Sequence, residues 1–182
     1  MSRVFKYLVA IGLFFSLAAC DPTRDLEDAP VDLGDFKLGH NIVVTPNLQA
    51  LPGSRSATEE EWKTAMMKAI DDRFGRYEGS RVYHFGISVD AYNLAAIDVP
   101  GVPTPKSALG INVTLWDNEK GVKLNEEAKT ITVLGIFSGA GIQPKKQVQL
   151  DNLAALAAKS IENWMLEHPE WFVLAADADS DG

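Results

Sequence analysis

The 182-residue chain has a single cysteine, Cys20, and only three histidines, His40, His84 and His168. One thiol permits no internal disulfide, no dithiol redox pair and no multi-cysteine metal site. The histidines have no ligand spacing, and there is no H-E-x-x-H helix. A G-x-S-x-G elbow is missing too. The glycine-containing stretch 135–141 lacks the lysine and the Ser/Thr of a phosphate loop, so it reads as a connection. Basic residues are in the minority, 17 against 25 acidic, for a formal net charge of −8. That balance speaks against nucleic acid as a partner and against adhesion to anionic lipid through charge alone. No internal repeat is present. Neither a nucleophile with its base nor a metal set can be assembled, so no catalytic residue, no metal and no enzyme is expected.

What the chain does have begins at its N-terminus. Arg3 and Lys6 precede the apolar run Tyr7 to Phe15, and small residues lead to Ala19-Cys20. This is the charged, apolar, small-residue order of a secretory signal. The run is far shorter than the ~20 residues that cross a bilayer as a helix. Leu17-Ala18-Ala19-Cys20 resembles the lipobox of bacterial lipoproteins. The resemblance implies a diacylglyceryl group on the Cys20 sulfur, removal of residues 1–19 as a signal peptide, and acylation of the new amino group. A thiolate is the nucleophile such a lipid transfer needs. Covalent lipid on Cys20 is then the only prosthetic group expected, and no other cofactor. Two or more acyl chains give stable anchoring at ~0.8 kcal/mol per buried methylene. The implied location is the bacterial cell envelope, lipid-anchored and facing the periplasm. Asp21 resembles the inner-membrane retention signal of enteric bacteria, a rule that does not transfer safely, so both membranes stay open. Losing Arg3 and Lys6 takes the formal net charge from −8 to −10.

Residues 20–40 are polar and acidic, with Pro22, Pro30, Gly34 and Gly39, and read as the lipidated N-terminus and a tether, with Leu33, Phe36 and Leu38 pointing to an end that packs on the domain. Residues 41–175 read as one domain, and 176–182 as an acidic tail. A β-branched stretch at 41–45 predicts a short strand. Thr58 and Glu61 form the capping box of a helix over 58–74, whose stripe is Trp62, Ala65, Met66, Ala69, Ile70 and Phe74. Strict alternation predicts a strand over 81–94, with Tyr83, Phe85, Ile87, Val89 and Ala91 on one face. A proline-rich loop at 95–106 precedes a strand at 107–116, a turn at 117–121 and a strand at 130–134. Leu150, Leu153, Ala154, Ala157, Ile161, Trp164 and Met165 share one face of a helix over 145–167, stopped by Pro169. The predicted fold is α+β: a two-layer sandwich in the order β-α-β-β-β-α. Its mainly antiparallel sheet of about four strands carries both helices on one face.

The second sheet face then carries His84, Ser88, Asn112, Thr114 and Trp116. Spacings of i, i+4 and i+6 along one strand keep His84, Ser88 and Asp90 too far apart for a catalytic relay. By the same alternation Tyr92 falls on this face. With Trp116 and His84 it would form an exposed patch for a partner. The competing reading packs Trp116 against a loop or against Phe36. At the other end of the chain, Asp177, Asp179, Asp181 and Gly182 match the opening of an EF-hand loop without its positions 7 and 12. They make a weak calcium candidate and a better solubilising tail. The expected function is a non-catalytic interaction or assembly module with an unidentified envelope protein partner, held to the membrane by lipid. The alternative is a module binding a small molecule, lipid or glycan between helices and sheet or under the 95–106 loop.

Overall fold

Thr58 starts the first helix in the way its sequence requires. Its hydroxyl accepts from the Glu61 amide at 3.2 Å, and the Glu61 carboxylate accepts from the Thr58 amide at 2.8 Å. Two otherwise orphaned donors are thereby satisfied. The structure is a computed structural model that describes residues 23–95, 107–135 and 145–172. Cys20 and the aspartates 177, 179 and 181 lie outside those residues, as do most of the loops at 95–106 and 135–141.

The described elements are β1 (Phe36–Val44), β2 (Gln49–Ala50), α1 (Glu59–Phe74), β3 (Arg81–Asn93), β4 (Ser107–Asp117), β5 (Val122–Lys123), β6 (Lys129–Gly135) and α2 (Lys146–Leu166). They form an α+β fold with a six-stranded mixed, mostly antiparallel sheet. Four strands span it in the order β1-β3-β4-β6. The two-residue strands β2 and β5 extend the edges beside β3 and β4. β3 with β4, and β4 with β5 and β6, are antiparallel. β1 runs parallel to β3, because α1 carries the chain back before β3 begins.

Both helices lie on one sheet face, α1 over β1 and α2 over β4 and β6. Alternation delivers Tyr83, Phe85, Ile87 and Val89 from β3, and Leu109, Ile111, Val113 and Leu115 from β4, into that layer, each 0–1 % exposed. The helical stripes meet them with Trp62, Met66, Ile70 and Phe74 from α1, and with Leu150, Leu153, Ile161 and Met165 from α2.

Three features differ from the sequence reading. First, β1 starts at Phe36 rather than Asn41. A register shift between Leu38 and Asn41 leaves Gly39 and His40 outside the ladder and breaks the alternation there. Glycine is required at position 39 because a Cβ would sit 2.4 Å from the His84 ring. Phe36 does not approach Trp116. It is fully buried, stacked on Tyr83 at 5.3 Å and edge-on to Tyr77 and Phe172.

Second, the segment read as a tether is bound to the domain from Thr23 onward. Residues Arg24–Glu27 form a 3-10 turn. Asp25 accepts from both terminal nitrogens of Arg73 at 3.0 Å and pairs with Lys159 at 3.2 Å. Arg76 Nη1 donates to the carbonyls of Leu26 and Asp28 at 3.1 and 3.0 Å. The hydrogen bond from Arg73 holds the Asp25 carboxyl well below the usual carboxylate range against the opposing effect of burial, and Lys159 adds to it. On its inner side Arg73 donates to Glu162 at 2.6 Å, and the Tyr77 hydroxyl donates to Glu162 at 2.8 Å. This network joins the N-terminal segment, α1 and α2.

Third, β3 carries a bulge at Asp90. Val89 faces Ile111 while Ala91 faces Gly110, so two steps on β3 match one on β4. One extra residue exchanges the two faces of every residue beyond it.

Candidate functional site

The sheet face away from the helices carries two of the three contact residues predicted from the sequence. Trp116 and His84 sit directly opposite each other on β4 and β3 and do share this face. Trp116 is 39 % exposed, with the Lys123 ammonium 5.6 Å from its ring. Tyr92 does not join them. The Asp90 bulge turns it inward, where it is 4 % exposed, packs 5.2 Å from Trp62, and donates its hydroxyl to the Ala57 carbonyl at 3.0 Å while accepting from the Ala57 amide at 2.9 Å. Tyr92 is a core residue that pins the approach to α1. Tyr92→Phe should therefore cost about 1–2 kcal/mol in urea unfolding, the worth of such bonds, and should leave capture of any partner unchanged.

His84 is held from both sides. Its Nδ1 accepts from the His40 amide at 2.7 Å, so the ring proton lies on Nε2, which faces the Asn118 Oδ1 at 2.9 Å. The His40 ring stacks on it at 4.7 Å. A ring with both nitrogens engaged offers no free lone pair to a substrate. Further along the face, the Ser88 hydroxyl and the Asn112 amide both donate to Asp90, and Thr130 donates to Asn112 at 2.6 Å. Ser88 is thus committed to the bulge carboxylate and has no histidine partner. Among the described residues there is no group of three or more His, Cys, Asp or Glu that could hold a metal ion.

Sequence reasoning missed the apolar part of this face. Ile42 and Val44 project from β1 and Leu134 from β6, with exposures of 57, 45 and 57 %. Ile42 is in register with Gly86 on β3, which faces Thr114 on β4. Gly86 and Gly110 leave dents in the surface. A Cβ on either would meet only a backbone oxygen, at 3.9 and 3.7 Å, so the fold itself does not demand glycine there. A strand-interior glycine with room beside it suits the close approach of another chain. The signal was readable in part, since Ile42 and Val44 alternate with Val43; the parallel pairing that brings them beside Gly86 was not.

Clefts also lie elsewhere among the described residues. One of about 150 Å³ lies on the outer side of the helical layer, where Thr23 and Leu26 cross between α1 and α2. Another of about 270 Å³ lies beside Leu33, Met165 and Phe172. Both fall below the roughly 300–1,000 Å³ of common small-molecule pockets. No described helix is long and apolar enough to cross a membrane.

No protein-family model and no curated protein sequence matches the chain. Solved structures do. The PelC dodecamer from Paraburkholderia phytofirmans is similar at 14 % identity, over 73 % of this chain and 90 % of that one, with a TM-score of 0.39. A Xanthomonas campestris protein of the DUF330 family is similar at 13 % identity, over 76 and 85 % of the two chains, with a TM-score of 0.39. A minor lipoprotein from Acinetobacter baumannii is similar at 14 % identity, over 68 and 92 %, with a TM-score of 0.30. Lipoproteins are thus among the structures this chain is similar to.

Proposed function

We propose that the protein is a bacterial envelope lipoprotein, anchored by lipid on Cys20, and a non-catalytic module that docks another envelope protein on its open sheet face. The observation that carries the docking is the face itself. Ile42, Val44, Trp116 and Leu134 are exposed on it, and Gly86 and Gly110 leave unfilled room between them. Aromatic and aliphatic anchors around a shallow notch suit a protein surface better than a solvated exterior. The lipobox residues 17–20 carry the anchoring.

The two halves have separate tests. Mass spectrometry of the N-terminal peptide from the native envelope should find acylated Cys20, and Cys20→Ala should move the protein out of the membrane pellet. An unmodified Cys20 sinks the anchoring. For docking, in-cell crosslinking followed by purification should capture an envelope protein with the wild type. The pair Trp116→Ala and Ile42→Ala should lose it while keeping the wild-type circular dichroism and unfolding midpoint. Equal capture by the double variant, or no captured protein at all, removes the open face as the docking site.

A further inference from the structure

The N-terminal segment is fastened to one side of the domain. Thr23 and Leu26 lie on the outer surface of the helical layer, against Ala65, Ala69 and Ala155. Asp25 is fastened to Arg73 and Lys159, and the backbone just beyond it to Arg76. The clamp ties the chain to the side opposite the open sheet face. Between Thr23 and Cys20 stand only Asp21 and Pro22. Three residue steps reach at most roughly 10 Å, even fully extended. Had the segment been free as far as His40, that reach would have been roughly 60 Å.

Thickness decides the geometry. A helix with its side chains is about 10–12 Å across, and a sheet layer adds roughly 10 Å. The open face therefore lies roughly 20 Å behind the helical surface, about twice the span of the anchor. We infer that the outward face of α1 and α2 rests against the lipid surface, and that the open sheet face is presented away from the bilayer. The occupant of the helical face is the membrane that holds the acyl chains of Cys20. The inference rests on the proposed lipidation of that residue. It does not depend on surface charge: Lys68 and Asp72 pair with each other there, and Asp151 lies close by.

The full-length lipidated protein tests this directly. With the Cys20 sulfur in a thioether, an introduced cysteine is the only free thiol. Lys68→Cys and Asp151→Cys place a fluorophore on the helical face, and Thr132→Cys places one on the open face. Each protein goes into vesicles of phosphatidylethanolamine and phosphatidylglycerol carrying a headgroup quencher. Labels at 68 and 151 should be quenched several-fold more than the label at 132. Equal quenching, with acylated Cys20 verified by mass, overturns the orientation and leaves the lipidation standing. Absence of lipid on Cys20 overturns both. A Gly-Ser insertion of about ten residues between Pro22 and Thr23 adds roughly 17 Å of root-mean-square reach and leaves the folded domain unchanged. It should erase the difference; a difference that survives the insertion shows that the short anchor is not its cause and overturns the inference.

Discussion

Glu162→Ala should lower the unfolding free energy by about 3–5 kcal/mol, the loss seen when one partner of a buried ion pair is removed. Glu162 is 3 % exposed and Arg73 is 1 % exposed. The variant strips the inner acceptor from Arg73 and the acceptor from the Tyr77 hydroxyl in one step. Asp25 still holds Arg73 from outside, which favours the lower end of the range. Domains of this kind are stable by only about 5–15 kcal/mol, so the shift in the urea midpoint will be large. Glu162→Gln keeps the shape and part of the hydrogen bonding, and should lose clearly less. Replacing both charges, Arg73→Met with Glu162→Leu, removes the stranded buried charge and should recover part of the loss, the remainder staying with the Tyr77 hydroxyl and Asp25, which each lose a partner. A double variant as unstable as Glu162→Ala alone would show that packing, not stranded charge, sets the effect.

The same network gives a pH dependence whose sign is defined. Asp25 binds its proton less readily when folded than at its ordinary value of 3.8. The unfolded chain therefore takes up the proton first. The contribution of Asp25 is complete above that value and is lost as pH falls below it. Asp25→Asn should flatten the acid limb of the stability profile below about pH 4 and leave the neutral plateau lower. An unchanged acid limb would mean that other carboxylates set it.

Phe36→Ala should cost about 3–5 kcal/mol, as large-to-small changes at buried aromatic sites do. The ring is fully buried and touches Phe74, Tyr77, Tyr83, Phe85 and Phe172. The size of the effect separates two views of this segment. A residue in a free tether would cost nothing to truncate, whereas one at the centre of an aromatic cluster leaves a cavity its neighbours cannot close. Thermal unfolding of the domain from Thr23 onward decides it, and a midpoint within error of wild type would remove Phe36 from the core.

Local signals were legible. The Thr58–Glu61 box, the stripe from Trp62 to Phe74 and the alternation from Arg81 to Val89 each depend on neighbours a few residues away, and each is present as read. The same local alternation puts Trp116 and His84 on one face, where they pair across β3 and β4. What could not be read was set at a distance. The bulge at Asp90 is one residue long, and Ala91 and Tyr92 suit either face, so alternation continued through it gives the wrong side for Tyr92. Gly39 and His40 interrupt the alternation of β1, so only its β-branched second half reads as strand; the two residues are tolerated through the contact of His40 with His84, which lies 44 residues further on. The apolar patch needed the parallel partner of β1, and pairing across a helical crossover leaves no mark in either strand.

The chain closes on itself at Phe172. The Asp35 amide donates to the Phe172 carbonyl at 3.0 Å, the Phe172 ring packs edge-on to Phe36 and Tyr83, and the Tyr83 hydroxyl donates to the Trp171 carbonyl at 3.0 Å. Burial pushes the Tyr83 hydroxyl up to about 12, so that donor stays protonated through the physiological range. During synthesis, Phe36 and Tyr83 emerge long before the turn that seals them. A nascent chain stopped short of His168 leaves this aromatic cluster open at one side and the Tyr83 hydroxyl unsatisfied. The aromatic cluster that begins at Phe36 is therefore complete only once the turn at Pro169–Trp171 and Phe172 are in place, near the end of the described residues.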